Sequence, residues 1–445
     1  MNIIMLSGGS GKRLWPLSSD TRAKQFLKVL RTPDGRHESM IQRVYRQLRE
    51  TDIDAPIVVS TTDAQKDTIR QQLGPGVDIA LEPERRDTFP AIALGAMFLA
   101  SERGCGLEET VLIMPVDAYV DEEYFQSIQK MDRAVQTDAA DMVLMGIRPT
   151  YPAAKYGYIV PKMGQTSELM RVSHFVEKPS VEQAKGLLDR GAFWNGGVFA
   201  FKMGYILDIV RRYIEPKSYE YLRGNYGKLR KISFDYEIVE SCRSIAMVPH
   251  YGTWKDLGTW NTLSDVMREP YAGKVFSGEG TENTHIINEL EIPIVALGIK
   301  NAVITACPDG ILVSDKQASS QLKPYVDRID QRPMYEERQW GSYRVLNYMS
   351  HSSGTKSLTK HLRVDAGKSL SYQRHNNRDE IWTVIEGTGD LLIDGHTRNV
   401  RCGDEAYIRK GSMHSIRATT ELHLIEVQIG TELTEEDIER FPWEW

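Results

Sequence analysis

A short apolar strand, Ile3-Ile4-Met5-Leu6, runs directly into a glycine-rich basic loop, Ser7-Gly8-Gly9-Ser10-Gly11-Lys12-Arg13. Glycines let backbone N–H groups approach an anion closely, and Lys12 with Arg13 add charge that backbone dipoles alone lack. The junction reads as a phosphate cradle at the carboxyl end of a strand, the place where open α/β sheets bind ligands. The nucleotide loop G-x-x-x-x-G-K-[ST] would need Gly at Leu6 and Ser or Thr at Arg13, so it is absent. The dinucleotide fingerprint G-x-G-x-x-G is broken beyond Gly11, which disfavours a nicotinamide dehydrogenase. A plain glycine turn with a solvated basic flank is the bland alternative.

The chain has 445 residues, more than one hydrophobic core serves, so two or three domains are expected. Its net charge of −6 argues against broad binding to nucleic acid or an anionic membrane, and anionic ligands must therefore be met by local cations. Cys105, Cys242, Cys307 and Cys402 show no C-x-x-C spacing and read as reduced thiols of a cytoplasmic protein. No leader pattern precedes the first strand. The apolar stretch from Ala91 to Ala100 falls far short of the ~20 residues of a spanning helix, so secretion and membrane insertion are both disfavoured.

Residues 1–268 alternate strand-like and helix-like segments, the pattern of an α/β domain with a doubly wound, mainly parallel sheet. Strands are expected at Ile3 to Leu6, Ile57 to Ser60, Val111 to Met114 and Met142 to Gly146. Met40, Ile41, Val44 and Leu48 recur at helical spacing, and Thr88 with Pro90 starts another helix. Residues 269–330 read as a small β connector ending in a polar linker from Lys316 to Asp330. In 331–445, many short strands split by glycine turns predict an antiparallel β-barrel or sandwich. Glu432 to Arg440 is expected to form a short acidic helix, with Phe441-Pro442-Trp443-Glu444-Trp445 docking on the barrel.

The run Gly8-Gly9-Ser10-Gly11-Lys12-Arg13-Leu14-Trp15-Pro16-Leu17-Ser18, followed by Lys24-Gln25-Phe26, resembles the signature of sugar-1-phosphate nucleotidylyltransferases, and among them the mannose-1-phosphate guanylyltransferases. Separated motifs agree with it. Asp117 in Met114-Pro115-Val116-Asp117 and Asp256 in Trp254-Lys255-Asp256-Leu257-Gly258 resemble the family's two metal-carboxylate motifs, and either alone would more often be a turn or cap residue. Phe175-Val176-Glu177-Lys178-Pro179 matches the family's E-K-P motif. Trp194-Asn195-Gly196-Gly197-Val198-Phe199 resembles its W-N-S-G-M-F segment, with Gly196 and Val198 departing from it. Glu82-Pro83-Glu84-Arg85-Arg86-Asp87-Thr88 resembles the E-P-x-x-R-N-T segment, with Asp87 in place of Asn.

The resemblance implies a Rossmann-like nucleotidyltransferase domain that moves GMP from GTP to mannose 1-phosphate, giving GDP-mannose and pyrophosphate by direct attack. Arg13, Lys24 and Lys178 would be the catalytic cations. Leu6, Gly8, Gly9, Gly11, Lys12, Glu82, Pro83, Arg86 and Thr88 would bind the nucleotide. Glu177, Asn195 and Gly157 would bind the sugar, and Asp117 with Asp256 would hold Mg2+. The implied partners are small molecules, a nucleoside triphosphate and a sugar phosphate, together with a second copy of the chain in a homo-oligomer.

In the β-rich end, Gln373-Arg374-His375-Asn376-Asn377-Arg378-Asp379-Glu380-Ile381-Trp382 and a later Gly411-Ser412-Met413-His414 resemble a cupin metal site of the phosphomannose isomerase type. Gln373 and His375 lie two apart and share a face if they sit in one strand. Gln373, His375, Glu380 and His414 form a mixed N/O donor set suited to Zn, Mn, Co, Fe or Ni, and the family's second His is Asn377 here. A mannose-6-phosphate isomerase activity is implied. Arg378 could meet a substrate phosphate or pair with a carboxylate. Two other readings remain: a transferase for another sugar phosphate or nucleotide with a purely structural barrel, and a non-catalytic sugar-nucleotide sensor, which would be expected to have lost the charged residues present here.

Overall fold

The computed structural model describes residues 1–9, 11–19, 22–51, 53–164 and 167–445. Ser10 of the glycine loop lies outside them. The chain divides into two compact units. The first comprises Met1–Leu14, Ala23–Glu269 and Lys316–Ser320; the second comprises Trp15–Arg22, Pro270–Asp315 and Gln321–Trp445.

The first unit is built on a nine-stranded sheet in the order 78–82, 57–62, 2–6, 110–115, 193–202, 142–147, 245–250, 170–176, 158–161. Strand residues alternate between its two faces. Ile3, Met5, Leu112 and Met114 join the helices Met40–Glu50 and Glu122–Gln136 in one core, while Ile4, Val111 and Ile113 join Thr88–Glu102 and Met203–Arg211 in the other. Helices on both faces make the sheet doubly wound. The expectation of mainly parallel pairing is corrected. Parallel register holds from 78–82 through 110–115 and again between 142–147 and 245–250, but Phe193–Lys202 runs antiparallel to both of its long neighbours. Between Met142–Ile147 and that strand the chain makes two more strands, Tyr158–Pro161 and Met170–Val176, and the helix Val181–Leu188, and it returns to the sheet in the opposite sense.

Thr88–Glu102 is apolar nearly all round, as a helix buried in a core must be. Asp87 caps it, accepting a hydrogen bond from Thr88 N at φ 72°. Glu122–Gln136 is capped by Asp121, and Met40–Glu50 by a Ser39–Gln42 capping box.

In the second unit, Tyr271–Ala272, His285–Asn288 and Ala302–Cys307 pair in parallel, with Gly310–Asp315 antiparallel at the edge. Trp15–Ser18, where the first run of the glycine-loop signature ends, packs here. Arg22 makes two bonds to Glu289, at 2.8 and 2.9 Å, and the Cys307 thiol donates to Pro16 O. A Cβ on Gly310 would lie 2.4 Å from the Trp15 ring, so only glycine fits. Residues 316–330 carry a 3-10 turn, Ala318–Gln321, and a short helix, Lys323–Val326.

Residues from Tyr335 onward form two antiparallel sheets, of six and five strands, packed on an apolar core. The expected acidic helix from Glu432 to Arg440 is absent. Leu433 is buried, the Thr434 and Asp437 carbonyls accept hydrogen bonds from barrel side chains, and Glu439–Phe441 adds a strand to Tyr372–Arg374. Backbone groups committed in this way cannot close helical turns. Trp443 packs on Tyr372 at 5.2 Å between ring centroids, as docking of the tail requires. Among the described residues no helix is long and apolar enough to cross a membrane, and all four cysteines are free.

Phe201 is fully buried and stacks on Phe234. Phe201→Ala is expected to lower the stability of the first unit by about 3–5 kcal/mol. The measurement is its urea unfolding midpoint, with an unchanged far-UV spectrum of the folded protein as control.

Candidate active sites

The first site begins where Asn2–Leu6 ends between Ser60 and Pro115. Ser7 is buried, and its carbonyl accepts from Gln25 Nε2 at 3.2 Å and Thr61 Oγ1 at 3.2 Å, so the loop leaves the sheet in one direction. Gly11 has φ 60°, and a Cβ there would lie 2.7 Å from Lys24 N. Nothing lies within 4 Å of where a Gly9 Cβ would stand, so that backbone is open to a ligand. Lys12–Leu14 forms a 3-10 turn anchored by buried Leu14, and Arg13 is exposed with its charge acting on Lys24.

Lys24 pairs with Asp117 and lies 3.9 Å from Asp256 Oδ1. Strand pairing brings those carboxylates together from distant parts of the chain. Trp254–Asp256 runs antiparallel to Ala118–Val120, setting Asp256 opposite Ala118, the neighbour of Asp117. Burial would push the Asp117 carboxyl up, but the Lys24 charge and hydrogen bond hold it below its ordinary range. Burial likewise opposes the Lys24 ammonium, and the charges of Asp117 and Asp256 raise it.

Beside this cluster lies a cavity of about 240 Å³ whose walls include Glu177, Lys178, Asn195, Gly157, Asp235 and Trp254. Glu177 Oε1 pairs with Lys178 Nζ at 2.8 Å, while its Oε2 is buried without a partner. Gly157 makes room for it, since a Cβ there would stand 2.5 Å from Glu177 Oε2. Asn195 is fixed at both ends: Nδ2 donates to Asp235 Oδ1 at 2.6 Å and Oδ1 accepts from Gly197 N at 3.0 Å. One hydrogen and one lone pair of that amide stay free.

Asp235, Lys155, Tyr156 and Trp254 also line the cavity and were not singled out from sequence. Asp235 opens a π-type turn, Asp235–Val239, which carries no sequence motif of its own. Burial, then the Glu177 charge, push its carboxyl up to about 6.

The Glu82 to Thr88 segment braces a turn. Glu82 is buried and accepts from Tyr226 Oη at 2.7 Å, and burial pushes its carboxyl up. Arg86 donates to the carbonyls of Gly227 and Leu229 at 3.2 and 3.1 Å and pairs with Glu84. Thr88 Oγ1 accepts from Phe234 N at 2.8 Å. Gly8 sits against this segment, with Glu82 Oε1 at 3.5 Å from its virtual Cβ, and Pro83 is exposed.

The second site lies inside the barrel. His375, Glu380 and His414 are buried, with one potential ligand atom from each lying within 4.8 Å of the others. His375 Nδ1 meets the Asp437 carbonyl at 2.6 Å and His414 Nδ1 meets the Ser412 carbonyl at 3.0 Å, which turns both Nε2 atoms inward with their lone pairs. His414 Nε2 is buried without a hydrogen-bond partner. Burial lowers the His375 pKa and favours the neutral, ligating form. Burial opposes the Glu380 charge, but His414, His375 and Arg378 hold that carboxyl well below its usual range.

Gln373 pairs across strands with His414, and its Nε2 lies 3.4 Å from His375 Nε2. Its carboxamide oxygen accepts from Ser371 Oγ at 2.7 Å. Arg378 forms the ion pair foreseen as one of its two roles, donating to Glu380 Oε1 at 2.9 Å and to the Thr434 carbonyl at 3.0 Å. Asn377 is exposed, and its N and Nδ2 donate to the Asp437 carboxylate at 3.1 and 3.2 Å. Those bonds commit Asn377 to Asp437, and the three donors His375, Glu380 and His414 come together without it.

Comparison with known proteins covers both sites. A family model described as "Nucleotidyl transferase" matches residues 2–271, and one described as "Mannose-6-phosphate isomerase C-terminal" matches residues 329–442. The chain is 32% identical to the xanthan biosynthesis protein XanB of Xanthomonas campestris, over 98% of this chain and 97% of that one. It is 30% identical to the alginate biosynthesis protein AlgA of Pseudomonas putida, over 98% and 95%. The crystal structure titled mannose-1-phosphate geranyltransferase from Thermus thermophilus superimposes with a TM-score of 0.61 at 29% identity, covering 74% of this chain and 98% of that one.

The raised Asp235 carboxyl makes a pH prediction. Its pKa rises from 3.8 unfolded to about 6 folded, so its contribution to stability is greatest below the lower value and is lost as pH rises through the higher. Asp235→Asn is therefore expected to raise the thermal midpoint at neutral pH and to flatten its pH dependence across that window. An unchanged profile in a melting series refutes the assignment.

Proposed function

This chain belongs to the nucleotidyl transferase family, among the mannose-1-phosphate guanylyltransferases that carry a C-terminal mannose-6-phosphate isomerase domain, and we propose that it transfers GMP from GTP to mannose 1-phosphate. The products are GDP-mannose and pyrophosphate, precursors and by-product of polysaccharide synthesis. The observation that carries this reading is the meeting of Lys24, Asp117 and Asp256 beside a cavity into which Glu177 presents an unpartnered carboxylate oxygen.

In this reading the backbone of Leu6, Gly8, Gly9 and Gly11 cradles the triphosphate, and Lys12, Arg13 and Lys24 neutralise it and the leaving pyrophosphate. Lys178 orients the sugar phosphate for in-line attack on the α-phosphorus. Glu177 and Asn195 hold sugar hydroxyls in the space that Gly157 leaves. Glu82, Pro83, Arg86 and Thr88 form the nucleotide side of the crevice, with Arg86 and Thr88 acting through the turn they brace. Positioning and charge account for the catalysis, since no covalent intermediate is needed.

Two converging carboxylates suit Mg2+, which takes one or two such ligands and completes its shell with water and phosphate. Asp117 and Asp256 would hold it, and it would offset the charge on the transferred and leaving phosphates. In the barrel, His375, Glu380 and His414, with Gln373 alongside, would hold Zn, Mn, Co, Fe or Ni; the convergence of one ligand atom from each of the three, with His414 Nε2 3.5 Å from Glu380 Oε2, supports this. That metal would polarise a sugar carbonyl during isomerisation of mannose 6-phosphate and fructose 6-phosphate. Four free cysteines support a cytoplasmic location. Exposed Phe276, Val295, Ile311 and Val313 on the connector support a homo-oligomer.

Asp117→Asn is expected to cut magnesium-dependent pyrophosphate release by roughly a hundredfold or more, as loss of a metal ligand does. Across a panel of triphosphates and sugar 1-phosphates, GTP with mannose 1-phosphate is expected to give the highest kcat/KM. A preference for CTP, UTP or dTTP overturns the base assignment. Elemental analysis of the full chain is expected to find one tightly held transition metal, lost in His414→Ala; a metal-free barrel with no isomerase activity under any added ion leaves it a structural role.

A further inference from the structure

Besides the imidazoles of His375 and His414, the barrel interior carries charged residues along one stretch of the six-stranded sheet. On Lys356–Val364 the buried positions read Leu358, Lys360, Leu362, so an ammonium stands between two leucines. On the adjacent Leu422–Gly430 strand they read Leu424, Glu426, Gln428, and on Arg378–Glu386 they read Arg378, Glu380, Trp382. Register sets Lys360 opposite Glu426, Glu426 opposite Trp382, and Gln428 opposite Glu380. A barrel that only packed would carry aliphatic residues there, because a buried charge is costly unless matched.

Lys360 lines a cavity of about 260 Å³ together with Arg332, Tyr343, Thr434 and Glu435. Its Nζ lies 4.6 Å from the centre of the Tyr343 ring, 2.9 Å from Glu435 Oε1 and 4.0 Å from Glu426 Oε1. The neighbouring cations are held elsewhere. Arg338 pairs with Glu336, Arg332 donates to the Leu433 carbonyl, and Arg378 is held by Glu380 and Thr434. Glu435 comes from the irregular segment that also supplies the Thr434 and Asp437 carbonyls to Arg378 and His375. With strands ~4.8 Å apart and ~3.4 Å per residue, the Lys360 and Glu380 backbones lie on the order of 12 Å apart, a span their inward side chains shorten from both ends.

We propose that Lys360 binds the phosphate of the sugar 6-phosphate isomerised in the barrel, and that Glu435 holds its ammonium as a displaceable carboxylate until that phosphate arrives. The proposal rests on the isomerase reading above. A phosphate dianion carries more charge than the single carboxylate it replaces, and a lysine ammonium accepts it as a point charge from any direction. The triad takes the sugar end and Lys360 the phosphate end of one ligand.

The test uses the full chain loaded with divalent metal, with mannose 6-phosphate as substrate and inorganic phosphate as competing probe. Lys360→Met keeps the length of the stem and removes the charge. It is expected to raise KM by about tenfold or more with little change in kcat, and to weaken inhibition by inorganic phosphate to match. Pyrophosphate release by the first unit is expected to be unchanged. Glu435→Gln is expected to lower KM and tighten inorganic phosphate several-fold, a gain that a purely structural ion pair would not give; it also carries the test if Lys360→Met does not fold.

Unchanged KM and phosphate affinity in both variants overturn the role of Lys360 and leave the isomerase reading standing. If no metal supports isomerisation by the unmutated chain, the isomerase reading fails by itself. Calorimetric binding of mannose 6-phosphate then decides: heats that fall in Lys360→Met sustain the phosphate contact, and heats identical to those of the unmutated chain overturn it.

Discussion

Asp117 and Asp256 would repel each other across the crevice if nothing stood between them, and Lys24 is the charge that lets them converge. Much of the first site is arranged around that ammonium. Gly11 turns left-handed against the backbone of Lys24, where a Cβ would not fit, so the phosphate loop and the residue that neutralises the carboxylates are packed together. In the proposed reaction Asp117 and Asp256 would hold a divalent cation, and Lys24 would pair with phosphate. One lysine is thus the internal counterion of both carboxylates.

The barrel solves a related problem with different parts. Its buried carboxylates, Glu380 and Glu426, face Arg378, Lys360 and two imidazoles, and burial with the Glu380 charge pushes Glu426 up to about 7. Trp382 Nε1 lies 3.1 Å from a carboxylate oxygen of each, and Gln428 donates to both at 3.2 and 2.7 Å, so the polar wall is knitted from three adjacent strands. Such a network is costly to leave half satisfied. Its burial inside the barrel is what sets this barrel apart from a packing module.

Motifs contained in a few consecutive residues are legible in the sequence itself. The Ile3 to Leu6 strand, the glycine loop, the Thr88 helix start and the E-K-P segment are local features whose chemistry travels with the residues. The second half of the loop signature was not readable in the same way. Trp15 and Pro16 continue the glycine-loop signature in sequence but make packing contacts with Gly310 and Cys307, beside the ion pair of Arg22 with Glu289. The tail misled for the opposite reason, since acidic residues at helical spacing say nothing about carbonyls that His375 and Arg378 will claim.

From the sequence alone came the residue types for phosphate, carboxylate and imidazole chemistry, and the division into an α/β part and a β part, because composition and periodicity are properties of short windows. Which carboxylates meet was decided by pairing between Trp254–Asp256 and Ala118–Val120. Which donors face the barrel interior was decided by the register of three strands, since a shift of one residue would turn Lys360, Glu426 and Glu380 outward. Asp235 entered the cavity only through a turn without a motif, and the partner of Asn377 is Asp437, sixty residues further along the chain. These are contacts between residues far apart in the chain, and only the folded backbone determines them.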